Sequence, residues 1–349
     1  MVKRTDLLKK PIKQIDLEKT ETVHDLVEAF KGASIQARAL GECATVWENM
    51  LTDRDRPTVI LGLSGALIAG GMRKVIRDMV KYRLVDVIAS TGAVMYQDFY
   101  QAMGYQHFKG DPAMDDVQLR KFMIDRIYDT LVDEVKFEET DRAIAKLTEK
   151  LEARAYSSRE IMTMLGKVAQ KDDNSILGTA HKMGVPIFSP ALNDSSIGIG
   201  LTIYHAKNRK KPHAMLDSIK DNYELLSIIY KSQKTAAVYI GGGTPKNWVN
   251  DGVVMANYTS DREIEGHSYA IQLTTDSPHW GGLSGSTLKE AQSWGKVHKE
   301  ATKAMAHVEA TIGLPLLVGH LIQGGFWKGR KSLKFDWDKT GDLRSIKST

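Results

Sequence analysis

A short β-type run, Thr58-Val59-Ile60-Leu61-Gly62-Leu63, ends against glycine and is followed by a helical pattern over 68–80 and a second strand, Val85-Asp86-Val87-Ile88-Ala89. Strand, glycine turn, helix and strand within about 30 residues make a parallel βαβ crossover. Parallel strands are buried on both sides, so a chain that starts this way needs helices on both faces of its sheet. The rest of the sequence keeps the alternation. Further strands are predicted at 186–192, 236–240 and 269–275, and helical patterns at 214–232 and 286–310. Val23, Leu26, Val27 and Phe30, then Val46 and Trp47, recur at helical spacing and predict a helix or two over 20–50. Residues 113–170 read as largely helical and charged, with a break at 137–141. The fold class is therefore α/β, a parallel sheet with helices on both faces and an N-terminal helical extension.

In an open parallel sheet, ligands bind beyond the carboxyl ends of the strands. The glycines after Leu61, Ser90 and Ile240 and the polar residues after Leu273 all fall at such ends. Gly241-Gly242-Gly243-Thr244-Pro245 follows its strand at once. Glycines there let the backbone approach an anion and aim N–H groups at it, although an ordinary strand-ending turn has the same composition. The stretch from Gly62 to Gly71 is rich in glycine but lacks the Gly-x-Gly-x-x-Gly spacing, so any dinucleotide site here is of another design. Residues 324–332 nearly spell a phosphate loop, but with one residue too many, and they follow a helical stretch. The ten histidines show no metal-ligand spacing, and no metal is expected.

Composition narrows the classes. No apolar run approaches the roughly 18 residues of a membrane span. The start, Met1-Val2-Lys3-Arg4-Thr5-Asp6, lacks the apolar core of a secretory signal. Cys43 is the only cysteine, which excludes an intramolecular disulfide and a cysteine metal cage; a buried, inert thiol is expected. These features favour the cytoplasm. The net charge of +5 is dispersed. Lys328, Arg330, Lys331 and Lys334 with Trp327, Phe335 and Trp337 combine the residue types of a nucleic-acid patch. A solvated terminal tail is the preferred reading, and no nucleic-acid partner is expected.

Glu290-Ala291-Gln292-Ser293-Trp294-Gly295-Lys296 places a tryptophan and a lysine two residues apart. Such residues do not share a helix face, but the intervening glycine permits a local break that brings the indole beside the amine. A lysine against an apolar wall loses solvation of its charged form and can act as a nucleophile when neutral. With 48 Lys+Arg in the chain, a solvated lysine is the ordinary alternative.

Ser293-Trp294-Gly295-Lys296 resembles the lysine motif of deoxyhypusine synthases. Pro186-Ile187-Phe188-Ser189-Pro190-Ala191-Leu192-Asn193-Asp194 is similar to the family's Pro-x-Phe-Ser-Pro-Ala-Leu-x-Asp segment. Leu84-Val85-Asp86-Val87 with Ser90-Thr91-Gly92 resembles its first strand and nucleotide-binding turn. The triple glycine at 241–243 and Leu26-Val27-Glu28-Ala29-Phe30 also match, so the similarity runs in order from about residue 20 to about residue 320. The resemblance implies a Rossmann-like NAD-binding architecture, with an N-terminal helical extension (1–50), a deoxyhypusine synthase-like NAD-binding domain (51–325) and a basic C-terminal tail (326–349). It implies NAD as cofactor, a polyamine substrate and a homo-oligomer, a tetramer built from dimers. In that chemistry NAD takes a hydride from a carbon beside a secondary amine. The resulting imine passes its aminobutyl portion to a lysine, here Lys296, and a second amine receives it before reduction. Trp294 and Glu290 match residues lining the amine tunnel. Thr91, Gly92, Asp194, Gly241, Gly242 and Thr275 lie on cofactor positions, and Glu309 stands where the family has an aspartate.

The departures cluster around the amine. Where the family has acidic groups and a histidine, this chain has Ile199, Leu283 and Asn247. Each lost carboxylate removes a charge-assisted hydrogen bond of about 1.5–3 kcal/mol. On the cofactor side, Tyr96 and Gln97 replace a glutamate pair, Trp280 an aspartate, and Gly65 and Ala66 a serine–asparagine pair; Asp276 or His279 could supply part of the loss. The expected function is an NAD-dependent aminoalkyl transferase acting on polyamines, for example on putrescine in a homospermidine-forming reaction. The alternatives are a true deoxyhypusine synthase that modifies a translation-factor lysine, and a non-catalytic NAD-binding scaffold in which Lys296 is idle.

Overall fold

The computed structural model describes residues 3–261, 263–338 and 340–349. Six strands form the central sheet: β1 (Thr58–Leu63), β2 (Val87–Ser90), β3 (Ile187–Phe188), β4 (Thr235–Ile240), β5 (His267–Leu273) and β6 (Val297–Ala306). Their order is β6-β5-β4-β1-β2-β3, and every neighbouring pair is parallel. The chain thus builds outward from β1, returns to β1's other side and builds outward again. This is the doubly wound order whose switch point lies between β1 and β4.

Alternation of side chains explains why both faces are covered. Val59, Leu61 and Leu63 join one core with Trp47, Met50, Ile76, Met79, Leu314 and Leu317. Ile60 points the other way, into a core with Leu225, Ile228, Trp248, Val249 and Val253. The first set comes from the helices Ile35–Thr52, Arg73–Lys81 and Ala310–Gln323, the second from Ser218–Lys231 and Gly243–Thr259. Cys43 is buried in the first core, and burial pushes its thiol up to about 12.

The register makes the carboxyl ends level. Leu63 lies opposite both Ser90 and Ile240, Ile240 opposite Leu273, and Leu273 opposite Ala306. The residues that follow, Ser64, Thr91, Gly241 and Thr274, therefore form a row along one edge of the sheet.

Several expected elements differ. The helical pattern over 68–80 starts only at Arg73, leaving 64–72 as the loop that leaves β1. The strand expected at 186–192 shrinks to Ile187–Phe188 between Pro186 and Pro190, which cannot donate to a ladder. Residues 286–310 are not one helix. A short helix, Leu288–Ser293, stops before Gly295 and gives way to β6. That strand is at the sheet's edge, so its exposed Lys299 and Glu300 mimic a solvated helix. The charged region 113–170 holds helices but also an antiparallel pair, Ile124–Ile127 with Thr130–Asp133. The break expected at 137–141 lies inside the helix Glu134–Thr148, capped by Asp133 and laced by Lys136–Glu139 and Glu138–Arg142 pairs.

The C-terminal segment is not a solvated tail. Leu333–Trp337 and Leu343–Ser348 pair antiparallel and pack Phe335, Trp337 and Ile346 on the second core. The Trp337 ring lies 3.9 Å from the Arg159 guanidinium, which is itself bonded to Glu224 at 2.7 Å.

Beside that contact, Asp221 is 1% exposed, with one carboxylate oxygen accepting from the Ser158 N–H at 2.7 Å and the other without a partner among the described residues. Burial pushes its carboxyl up to about 7 from 3.8. The folded state holds this proton more tightly than the unfolded state. The resulting stability is complete below about pH 4 and is lost as pH rises through about 7. Asp221→Asn should leave urea stability at pH 4 nearly unchanged and raise it at pH 8 by up to about 4 kcal/mol. Equal effects at both values would show that the group does not titrate in this window.

Candidate active site

Two cavities open along the carboxyl edge of the sheet. The first, about 510 Å³, sits at the switch point between β1 and β4. Ser64, Gly65 and Ala66 from the loop after β1, Gly241 and Gly242 after β4, Thr274, Thr275 and Asp276 after β5, and Glu309 and Thr311 after β6 line it. Gly242 has no room for a side chain: a Cβ there would lie 2.4 Å from Ser284 Cα. Its N–H donates to Ser64 Oγ at 2.9 Å, and the Gly243 N–H donates to Ser284 Oγ at 3.0 Å. Glu309 caps the helix Ala310–Gln323 by accepting from the Thr311 N–H at 2.8 Å.

These residues fit a dinucleotide. Gly243 opens the helix Gly243–Thr259, with nothing within 4 Å of where its side chain would be. Two carboxylates, Asp276 and Glu309, suit ribose hydroxyls. Among the described residues no lysine or arginine lines the cavity, and the N–H groups of Gly241, Gly242 and Gly243 already donate to Leu273 O, Ser64 Oγ and Ser284 Oγ, so phosphates would rest on the Ser64 and Ser284 hydroxyls or take their place on the glycine turn. NAD fits such a lining better than a cofactor with an extra phosphate.

Six of the nine sequence-predicted cofactor residues line this cavity: Gly65, Ala66, Gly241, Gly242, Thr275 and Glu309. Thr91, Gly92 and Asp194 gather one strand further along. The Thr91 N–H donates to Leu63 O at 3.1 Å, and Gly92 packs under Ser195, the neighbour of Asp194. Tyr96 and Gln97 serve the scaffold. Tyr96 is buried with its hydroxyl on Phe137 O, and Gln97 accepts from the Ala69 N–H at 3.2 Å, bracing the loop after β1.

The second cavity, about 390 Å³, is lined by Lys246, Asn247, Asn250, Asp251, Leu283, Ser286, Glu290, Trp294 and Lys296 among others. Its shape follows from one helix end. Thr287 caps Leu288–Ser293 by accepting from the Glu290 N–H at 3.0 Å. Gly295 takes φ of 68°, and the Lys296 N–H reaches back to Ala291 O at 3.1 Å. That left-handed stop turns the chain out of the helix into β6 and aims Lys296 at the neighbouring helix Gly243–Thr259. There Lys296 Nζ lies 2.8 Å from Asp251 Oδ1 and 3.3 Å from Asn247 Oδ1, while Asn247 Nδ2 donates to Asp251 Oδ2 at 2.8 Å. The Trp294 ring centre is 5.2 Å from the same ammonium. Trp294 remains 67% exposed, so it borders the amine on one side rather than enclosing it.

Lys296, Trp294, Glu290, Asn247 and Leu283 all line this cavity. Ile199 is not among them: it stands half exposed on the helix Ser196–Asn208. Sequence reasoning missed Asp251 and Lys246. Asp251 sits four residues after Asn247, one helical turn on, and that spacing was the available signal. Lys246 is 2% exposed and forms no ion pair among the described residues; burial pushes its ammonium down to about 8, against the opposing fields of Glu290 and Asp276.

The family model for deoxyhypusine synthase matches residues 25–321. A deoxyhypusine synthase-like protein from Chlorobaculum tepidum is 41% identical over 339 residues, covering 96% of each chain.

The chain belongs to the deoxyhypusine synthase family.

Its relatives in that family include one named "Probable deoxyhypusine synthase 2" from Methanosarcina mazei, 42% identical with 92% of each chain covered. The crystal structure of a deoxyhypusine synthase candidate from Entamoeba histolytica superposes with a TM-score of 0.61 at 20% identity, over 88% of this chain and 96% of that one. It shows the shared α/β fold. Among the described residues, no helix is long and apolar enough to cross a membrane.

Proposed function

We propose that this protein is an NAD-dependent aminoalkyl transferase that moves an aminobutyl group between polyamines, with Lys296 as the carrier. The observation that supports it best is the Lys296–Asp251–Asn247 triangle, set in a cavity adjoining one that suits a dinucleotide.

Bound NAD would supply the hydride acceptor for oxidation of the donor amine and return the hydride to the product. The remaining steps belong to the chain. Lys296 must lose a proton before it attacks, and Asp251, 2.8 Å away, is placed to receive it. The neutral amine adds to the donor's imine carbon and expels the rest of the donor as an amine, leaving the aminobutyl group on Lys296 as an imine. Asn247 orients Asp251 through its amide. Glu290 offers a second carboxylate in the same cavity for a distal ammonium. The acceptor amine then displaces Lys296, and the new imine is reduced. Electrons balance, because the two taken from the donor return to the product.

Leu283 in place of a carboxylate in the amine cavity favours a small free amine such as putrescine as acceptor, which makes the product homospermidine. A homotetramer built from dimers completes the proposal. Incubation with NAD, spermidine and putrescine should yield homospermidine by mass spectrometry and none without NAD. Modification of a translation-factor lysine alone would instead identify a true deoxyhypusine synthase. Nucleotide binding with no product from a panel of amines would leave a non-catalytic scaffold.

A further inference from the structure

The cofactor cavity and the amine cavity share a wall, the turn at 281–286. Leu283 and Ser286 face the amine side, and Ser284 faces the cofactor side. The turn is held from beneath by Lys246. Its ammonium donates to Leu283 O at 3.1 Å, to Ser286 O, and to Ser286 Oγ at 2.9 Å, so it grips the turn at its middle and at its end. It also donates to Gln272 Oε1 at 2.9 Å. Gln272 is fully buried and passes the link on, donating from one amide nitrogen to Ser284 O at 2.8 Å and to Gly241 O at 3.0 Å. Ser284 Oγ then accepts from the Gly243 N–H.

One buried cation therefore joins the wall of the amine cavity to the glycine turn of the cofactor cavity. A fully apolar side chain would fill this interior space without the cost of desolvating a charge. The sequence instead spends an unpaired ammonium on three oxygens of a single turn. We infer that Lys246 is a positioning residue that makes the 281–286 turn move as one unit with the glycine turn, so that occupancy of either cavity strengthens binding at the other. A ligand that fixes the turn from the cofactor side sets Leu283 and Ser286 for the amine, and the reverse holds with the same factor, because coupling between two binding sites is reciprocal.

This inference rests on the proposed assignment of the two cavities to a dinucleotide and an amine. NADH and putrescine test it by calorimetry, since NADH cannot accept a hydride and the complex stays unreactive. In the wild-type protein each ligand should tighten the other by the same factor, on the order of tenfold. In Lys246→Met the factor should fall to near one, while NADH alone still binds within a few-fold of wild type, since Lys246 does not line the cofactor cavity. Gln272→Leu, which removes the side chain joining Lys246 to Ser284 O and Gly241 O and lines neither cavity, should lose the coupling in the same way and serves if the Lys246 variant does not fold. Undiminished coupling in either folded variant overturns the inference. Binding of both ligands to wild type without coupling overturns it too and leaves the site assignment standing. Failure of both ligands to bind wild type overturns the site assignment and this inference with it.

Discussion

Lys296→Arg is expected to lower aminoalkyl transfer by at least about a thousandfold while leaving NAD affinity within a few-fold of wild type. Arginine keeps the positive charge and can keep the pair with Asp251. Its guanidinium does not lose a proton in proteins, so it cannot form the imine. The cofactor cavity lies across the 281–286 turn and does not include Lys296 in its lining. Product formation by mass spectrometry and the NAD-induced shift in melting temperature separate the two effects. Retained turnover in this variant would mean that Lys296 is not the carrier. Loss of both turnover and the NAD shift would mean that the substitution disturbs the shared wall.

The second large effect is on stability. Asp86 opens the segment leading into β2 and is 4% exposed. One carboxylate oxygen lies 2.7 Å from an Arg56 nitrogen, and the other is 3.0 Å from Arg330 and accepts from the Val59 N–H at 2.9 Å. Burial opposes ionisation of Asp86, but the Arg330 and then the Arg56 guanidinium prevail and hold its carboxyl below the usual range. The Arg330 side chain is 1% exposed. Asp86→Ala would leave that guanidinium buried without its counter-charge, at a cost of about 3–5 kcal/mol. Arg330→Met should cost less, because Arg56 still satisfies Asp86. Urea unfolding measures both. A cost under about 1 kcal/mol for Asp86→Ala would show that the C-terminal segment is not anchored through this pair.

What the sequence makes legible follows from periodicity. The strand from Thr58 and the strand ending at Ile240 are apolar on both faces, and the glycines after them locate the switch point. The lysine motif was readable because Gly295 breaks a helix at a defined place. The elements that were misread carry ambiguous signals. β6 is polar because it is an edge, and its charges resemble those of a solvated helix. The helix Glu134–Thr148 holds together through a cap and spaced ion pairs, which composition alone does not reveal. Arg330 looked like part of a basic tail because its partner, Asp86, lies 244 positions away in the chain. Lys246 and Asp251 escaped notice for a related reason. One becomes distinctive only when buried, and the other only when the helix after the triple glycine is set against Lys296.

The central claim is that Lys296 carries the transferred group as an imine. Borohydride trapping in the presence of NAD and spermidine, followed by peptide mapping, tests it most directly. The account predicts a nucleotide-dependent adduct on the peptide holding Ser293-Trp294-Gly295-Lys296, of the mass of an aminobutyl group and absent in Lys296→Arg. An adduct that maps to another lysine, Lys246 included, or that forms equally without NAD, would contradict it.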